Sequence, residues 1–214
     1  MFSPYGRSTI AKTFLICALL AAGGLLSSGV VKILLLAAAS GFFLFTLYFF
    51  RDPSRIAPAE PNAILAPADG RVLLIKKVSH PFTGTDSTLV SIFMSLFNVH
   101  VNRIPFSGRI EHLCYHKGKF LMAFDRDSMN NNERMEIGLQ NSGFPVFFTQ
   151  VAGFVARRIV CNLTIGEHVE AGNRFGMIKF GSRLDIILPD NARIIVSEGE
   201  KTLAGKTVIA MRNT

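Results

Sequence analysis

Residues 13–50 form a 38-residue stretch whose only charge is Lys32. A helix that is apolar all round has no face to offer water, so it belongs in a protein core or a bilayer. As one straight helix the stretch would be about 57 Å long, roughly twice the ~30 Å hydrocarbon core of a membrane. Two passes fit better, and Ser27-Ser28-Gly29 offers the turn, with Lys32 near the far interface. Arg7 and Lys12 flank one end, and Arg51 and Arg55 the other. A hairpin brings both basic ends to one side, which the bias of Lys and Arg makes the cytoplasmic face of the cell membrane. Tyr48, Phe49 and Phe50 fall at that interface. The first arm, 13–26, is short for a full crossing, so a tilted, re-entrant or interfacial anchor stays open beside the hairpin. Ala37-Ala38-Ala39-Ser40 also fits a signal-peptide cleavage site, but the apolar run continues past it, which suits an anchor.

The remaining chain, 56–214, has the length of one ordinary domain, so the expected division is an anchor over 1–55 and a second domain after it. The formal charge of +8 points to nucleic acid, an anionic membrane surface or acidic substrates. No dense Lys/Arg face or aromatic-basic motif is present, so nucleic acid is not expected and the membrane surface is. Cys17, Cys114 and Cys161 are odd in number and scattered, which argues against a disulfide framework and for a reducing compartment.

Residues 56–66, rich in Pro and Ala, read as an extended linker. Asp69-Gly70 is a turn signal, and β-type runs follow at 71–76, 87–95, 108–116, 134–140, 144–151, 157–163, 175–180, 184–188 and 207–211. Short strands broken by Gly, Asn and Pro predict a mainly β sandwich or barrel. An internal similarity sharpens this. Gly166-Glu167-His168-Val169-Glu170-Ala171-Gly172 returns 33 residues later as Gly199-Glu200-Lys201-Thr202-Leu203-Ala204-Gly205, with Gly, Glu, Ala and Gly in register. Each copy precedes an apolar strand, a pattern that resembles the biotinyl/lipoyl-type barrel-sandwich. A carrier domain of that type presents its modifiable Lys on a hairpin tip, whereas Lys179 falls inside a strand-like run.

Several residues are candidates for chemistry. Gly181-Ser182 sits between two strand-like runs, where a Gly-Ser pair by itself is a turn or bulge. His100, in Phe97-Asn98-Val99-His100-Val101-Asn102-Arg103, is either a packed, hydrogen-bonded residue or an acid–base catalyst. Asp69 is either a turn residue or a catalytic carboxylate. His112, Cys114 and His116 share one face of a strand and could begin a zinc site, but no fourth ligand is evident and the spacing is not a usual metal motif.

Taken in order, Pro67-Ala68-Asp69-Gly70, the His100 segment, Asn130-Asn131-Asn132-Glu133-Arg134 and Phe180-Gly181-Ser182-Arg183 resemble the phosphatidylserine decarboxylase proenzymes in their short bacterial and archaeal form. The resemblance implies that Ser182 attacks the Gly181 carbonyl and that the resulting ester is eliminated. Ser182 then becomes a pyruvoyl group, the enzyme's cofactor. A β chain of residues 1–181 and an α chain of residues 182–214 would result and stay associated. The pyruvoyl group would form a Schiff base with the amine of phosphatidylserine and take up the electrons freed as carbon dioxide leaves, giving phosphatidylethanolamine. The resemblance further implies a membrane phospholipid as substrate, dimers, no metal, and proton handling by His100. It makes Asp69 the counterpart of a relay carboxylate. Arg103 stands where long bacterial members have a second His, so the full relay does not carry over. Arg103 then becomes an anion-binding candidate, and His116 and Lys119 lie in a basic loop near the site or in a solvated one. The residues do not separate a diacyl from an archaeal-type ether lipid. Two readings compete: a membrane-anchored lipoyl-like adaptor, and a serine hydrolase using Ser182, His100 and Asp69.

Overall fold

A computed structural model describes residues 1–118, 132–153, 158–179 and 182–213. The chain divides into two compact units, Met1–Ser54 and Arg55–Thr214.

The first unit is a helical hairpin, α1 (Arg7–Leu26) and α2 (Gly29–Phe49), after a short 3-10 turn over Pro4–Gly6. The break falls at the expected residues: Ser27 Oγ donates to the Gly23 carbonyl at 2.7 Å, and Gly29 takes a φ of 58°. Small residues, among them Cys17, Gly24 and Ala39, are buried, and a Cβ on Gly24 would sit 3.2 Å from Leu35 and Leu36. This is how helices approach closely where no water drives them together. Leu15, Leu19, Ile33, Leu34 and Leu44 point outward. The first arm is longer than its apolar core suggests. The helix starts at Arg7, because Ser8, Thr9 and Lys12 continue it through polar sequence. Both helices are long and apolar enough to cross a membrane. Their outer ends meet: Ser3 N–H donates to the Phe50 carbonyl and Asp52 N–H to the Met1 carbonyl, both at 2.8 Å.

The second unit is built of strands: β1 (Ala63–Leu65), β2 (Gly70–His80), β3 (Gly84–Met94), β4 (Val101–Arg103), β5 (Gly108–His116), β6 (Arg134–Asn141), β7 (Phe144–Ala152), β8 (Arg158–Cys161), β9 (His168–Val169), β10 (Arg174–Lys179), β11 (Ser182–Leu188), β12 (Ala192–Ile194), β13 (Lys201–Thr202) and β14 (Val208–Arg212). The molecule is thus mainly β with an N-terminal helical hairpin, as the alternating runs predict. The expected linker is only partly unstructured, since 63–65 is captured as β1 by β14.

The sheet orders disclose an approximate two-fold. The large sheet runs β13-β2-β3-β11-β7-β6-β5-β9, and the small ones β1-β14-β12 and β4-β10-β8. Exchanging β1, β2, β3, β11, β12, β13 and β14 for β4, β5, β6, β7, β8, β9 and β10 reproduces every order. Backbone hydrogen bonds obey the same exchange. Arg103 N–H donates to the Pro67 carbonyl at 2.9 Å and Leu65 N–H to the Pro105 carbonyl at 2.8 Å. Gly205 N–H meets the Ala66 carbonyl as Gly172 N–H meets the Ile104 carbonyl, each at 2.8 Å. Gly172 and Gly205 share a left-handed φ (84° and 69°), and a Cβ on Gly205 would lie 3.4 Å from the Gly172 Cα. The 33-residue similarity is the visible trace of this symmetry. A second trace is fainter in the sequence: Pro67-Ala68-Asp69-Gly70 corresponds to Pro105-Phe106-Ser107-Gly108. One half is continuous, from β4 to β10. The other is split between β1–β3 and β11–β14, and Ser182 opens its second piece.

Candidate active site

Ser182 begins β11, paired with Met94 of β3 on one side and Ala152 of β7 on the other. Strand alternation turns Ser182, Leu184, Ile186 and Leu188 into the core and Arg183 and Asp185 to the opposite face. Ser182 is fully buried, and its Oγ has no hydrogen-bond partner among the described residues. A buried hydroxyl without a partner costs about 1–3 kcal/mol, so such a group calls for a reason other than stability. Gly181 lies outside the described residues.

The strands beside Ser182 are fastened by amides. Asn132 Nδ2 donates to the Ala152 carbonyl at 2.7 Å, while Ala152 N–H donates to the Glu133 carbonyl at 2.9 Å. The Asn-Glu-Arg stretch therefore borders Ser182's neighbour; Asn130 and Asn131 lie outside the described residues. Asn102 accepts from Gln150 Nε2 at 2.8 Å and turns its Nδ2 to Met94 Sδ at 3.8 Å. It thereby ties β4 to both strands flanking Ser182. Composition singled out neither Asn102 nor Gln150, since each is an ordinary amide until register places it.

His100 precedes β4, whose partner β10 ends at Lys179, three residues before Ser182. It is fully buried, and Nδ1 lies 2.9 Å from the Asn98 carbonyl. A carbonyl only accepts, so Nδ1 carries a proton. Asn98 Oδ1 in turn accepts from Ser95 N–H and Oγ, both at 2.8 Å, which shapes the turn between β3 and His100.

Asp69 sits in the turn before β2, and its carboxylate bonds neither His100 nor Ser182. Arg55 clamps it, with Nη2 donating to Oδ2 at 2.8 Å, and Ala204 N–H donates to Oδ1 at 2.8 Å. In the other half, Ser107 Oγ accepts from Ala171 N–H at 3.0 Å, at the equivalent position. Asp69 thus does for one half what a neutral hydroxyl does for the other, and Arg55 compensates its charge. Removing one member of a buried ion pair costs about 3–5 kcal/mol. Asp69→Ala is expected to lose about that much stability in urea unfolding, while Asp69→Ser keeps the bond to Ala204 and loses less. Self-cleavage by folded Asp69→Ser would mark the carboxylate as structural; its loss in a protein still folded would mark it as catalytic.

The other expected residues are dispersed. Arg103 is buried, donates to the Gly172 carbonyl at 2.9 Å and packs against Gly205, where the two equivalent turns meet. His116, half-exposed on β5, lies 2.9 Å from Glu136. Lys119 lies outside the described residues. Two charged residues next to Ser182 were not anticipated. Arg183 Nε donates to Asp185 Oδ2 at 3.1 Å, and Ser91 Oγ donates to Asp185 Oδ1. Burial raises the Asp185 pKa, with Arg183 and Ser91 working against it. Burial also lowers the Lys179 pKa, with help from the Arg158 charge.

A pocket of about 450 Å³ opens beside this end of the sheet, lined by Arg71, Phe93, Ser95, Asn98, Lys201 and Leu203 among others. Arg71 also donates to the Gly199 carbonyl at 2.7 Å.

A carrier domain needs an accessible lysine, but Lys179 is only 9% exposed. The family described as phosphatidylserine decarboxylase matches residues 42–210, most of the chain. The chain is 64% identical over 209 residues to the phosphatidylserine decarboxylase proenzyme of Chlorobium phaeobacteroides (strain BS1), covering 98% of each. It is 60% identical over 210 residues to that of Prosthecochloris aestuarii, covering 98% of this chain and 97% of the relative. It is 54% identical over 207 residues to that of Chlorobaculum tepidum, covering 97% and 96%. The chain belongs to the phosphatidylserine decarboxylase family.

Proposed function

We propose that this chain cleaves itself between Gly181 and Ser182 and then decarboxylates phosphatidylserine at a membrane surface. The observation that carries the reading is Ser182 Oγ, buried and without a hydrogen-bond partner among the described residues, in a family whose relatives are named proenzymes. Attack of Oγ on the Gly181 carbonyl carbon converts the amide to an ester and frees the Ser182 nitrogen. Loss of the Ser182 Cα proton expels the Gly181 carboxylate and leaves dehydroalanine. Its imine tautomer takes up water and releases ammonia, which leaves a pyruvoyl group at residue 182. That group supplies an electrophilic carbonyl for the lipid amine and a sink for the electron pair freed with carbon dioxide.

The chain's own residues bind, orient and move protons. Met94 and Ala152, backed by Asn102 and Asn132, fix residue 182 on its strand. His100, with its ring held by the Asn98 carbonyl, handles the proton that replaces the departing carboxylate. Arg71 and Lys201 in the neighbouring pocket take the anionic phosphate, since both are exposed whereas Arg103 is buried. The helical hairpin holds the domain at the cytoplasmic face of the membrane, where the head group is reached without extracting the lipid. The head group is the part that reacts, so a diacyl lipid and its ether-linked analogue are both tested as substrates.

The test is direct. Purified protein mixed with vesicles containing phosphatidylserine should release carbon dioxide and accumulate phosphatidylethanolamine. An ether-linked analogue should react at a similar rate. Cleaved protein that releases no carbon dioxide from either lipid would refute the substrate.

A further inference from the structure

Strands β5 and β6 pair in a register that sets Cys114 opposite Glu136 and His116 opposite Arg134. His112, Cys114 and His116 share one face of β5, and the register adds the carboxylate that inspection of the sequence left missing. Glu136 Oε2 lies 2.9 Å from His116 Nε2 and 3.8 Å from His112 Nε2. Its other oxygen accepts from Arg134 Nε at 2.8 Å, which aims Oε2 at the imidazoles. The donor atoms of His112, Cys114 and Glu136 all lie within 4.8 Å of one another. Zinc with bonds of about 2.0–2.3 Å holds tetrahedral ligands about 3.3–3.8 Å apart, so closure needs shifts of about 1 Å. The side chains are part-buried, with His112 42% and Glu136 22% exposed, which leaves a path for the ion.

We propose that His112, Cys114 and Glu136 form a binding site for a zinc-class divalent cation, with His116 and Arg134 orienting the carboxylate and water completing the tetrahedron. Imidazole, thiolate and carboxylate together select a borderline-soft ion, whereas magnesium and calcium call for oxygen alone. A thiolate and a carboxylate also balance the two positive charges. The site is separated from β11 by β7 and β6, three strand spacings or about 14 Å. It therefore fastens β5 to β6 and takes no part in the reaction at Ser182.

The experiment uses tag-free, full-length protein in detergent, reduced and chelator-stripped, and titrates it with Co²⁺. One equivalent should bind with a thiolate-to-cobalt absorption in the near ultraviolet and tetrahedral bands in the visible, and Zn²⁺ should bleach both. Cys114→Ser should abolish the thiolate band. His112→Ala and Glu136→Gln should each weaken binding tenfold or more. Because Cys114→Ser changes a single atom, it keeps the test valid if His112→Ala folds poorly. Absence of the thiolate band, its survival in Cys114→Ser, or equal affinity in all the variants would overturn the site.

Discussion

Ser182→Ala protein is expected to run as one intact chain of 23.5 kDa and to release no carbon dioxide from phosphatidylserine, while the unaltered protein runs as two pieces. Removing Oγ removes the only atom of residue 182 able to attack the preceding carbonyl, so the loss should be complete. The substitution itself is structurally mild, because that oxygen has no hydrogen-bond partner among the described residues. Intact-mass measurement would find pieces ending at Gly181 and beginning at residue 182, the latter without a free amine. The small piece should not dissociate in native buffer. Its strands are shared with the large one: β11 lies between β3 and β7, β13 pairs with β2, and β14 with β1. A single unbroken chain with an ordinary serine in an active sample would overturn the decarboxylase mechanism and favour a serine hydrolase or an anchored adaptor.

His100→Ala is expected to lower decarboxylation by about 10²–10⁴-fold, the usual contribution of a positioned acid–base group. Cleavage should be affected less, because Ser182 Oγ has no hydrogen bond to His100. Counting cleaved chains by mass and turnover by carbon dioxide release separates the two steps. The side chain is fully buried, so truncation also opens a cavity, and His100→Gln provides a second variant that keeps most of the volume. Either variant, if cleaved and turning over at the unaltered rate, would remove His100 from the proton path.

Several parts of this architecture are legible in the residues alone. A pair of apolar helices broken at Ser27-Ser28-Gly29 follows from 38 nearly uncharged residues, about twice the length one crossing needs. The strand 108–116 is found with the expected bounds, because alternation over nine residues is a strong local signal. The 33-residue similarity reports the two-fold, because its glycines must take left-handed φ in both halves. Ser182 and His100 stand out only through their family motifs; by periodicity alone they are a turn residue and a packed imidazole.

Sequence by itself determined the two apolar helices, the longer strands and which serine follows a glycine at a strand start, because these depend on neighbours a few residues away. The short strands β1, β4, β9, β12 and β13, by contrast, form only where a partner captures them. Tertiary structure alone decided the pairings: Asp69 with Arg55 and Ala204, Asn102 with Gln150 and Met94, Arg183 with Asp185 and Ser91, and Cys114 across from Glu136. Alternation states the face a side chain takes but is silent on which distant strand lies alongside. That choice is made by the packing of the whole sandwich, in which Ser91 and Asp185, 94 positions apart, share a hydrogen bond.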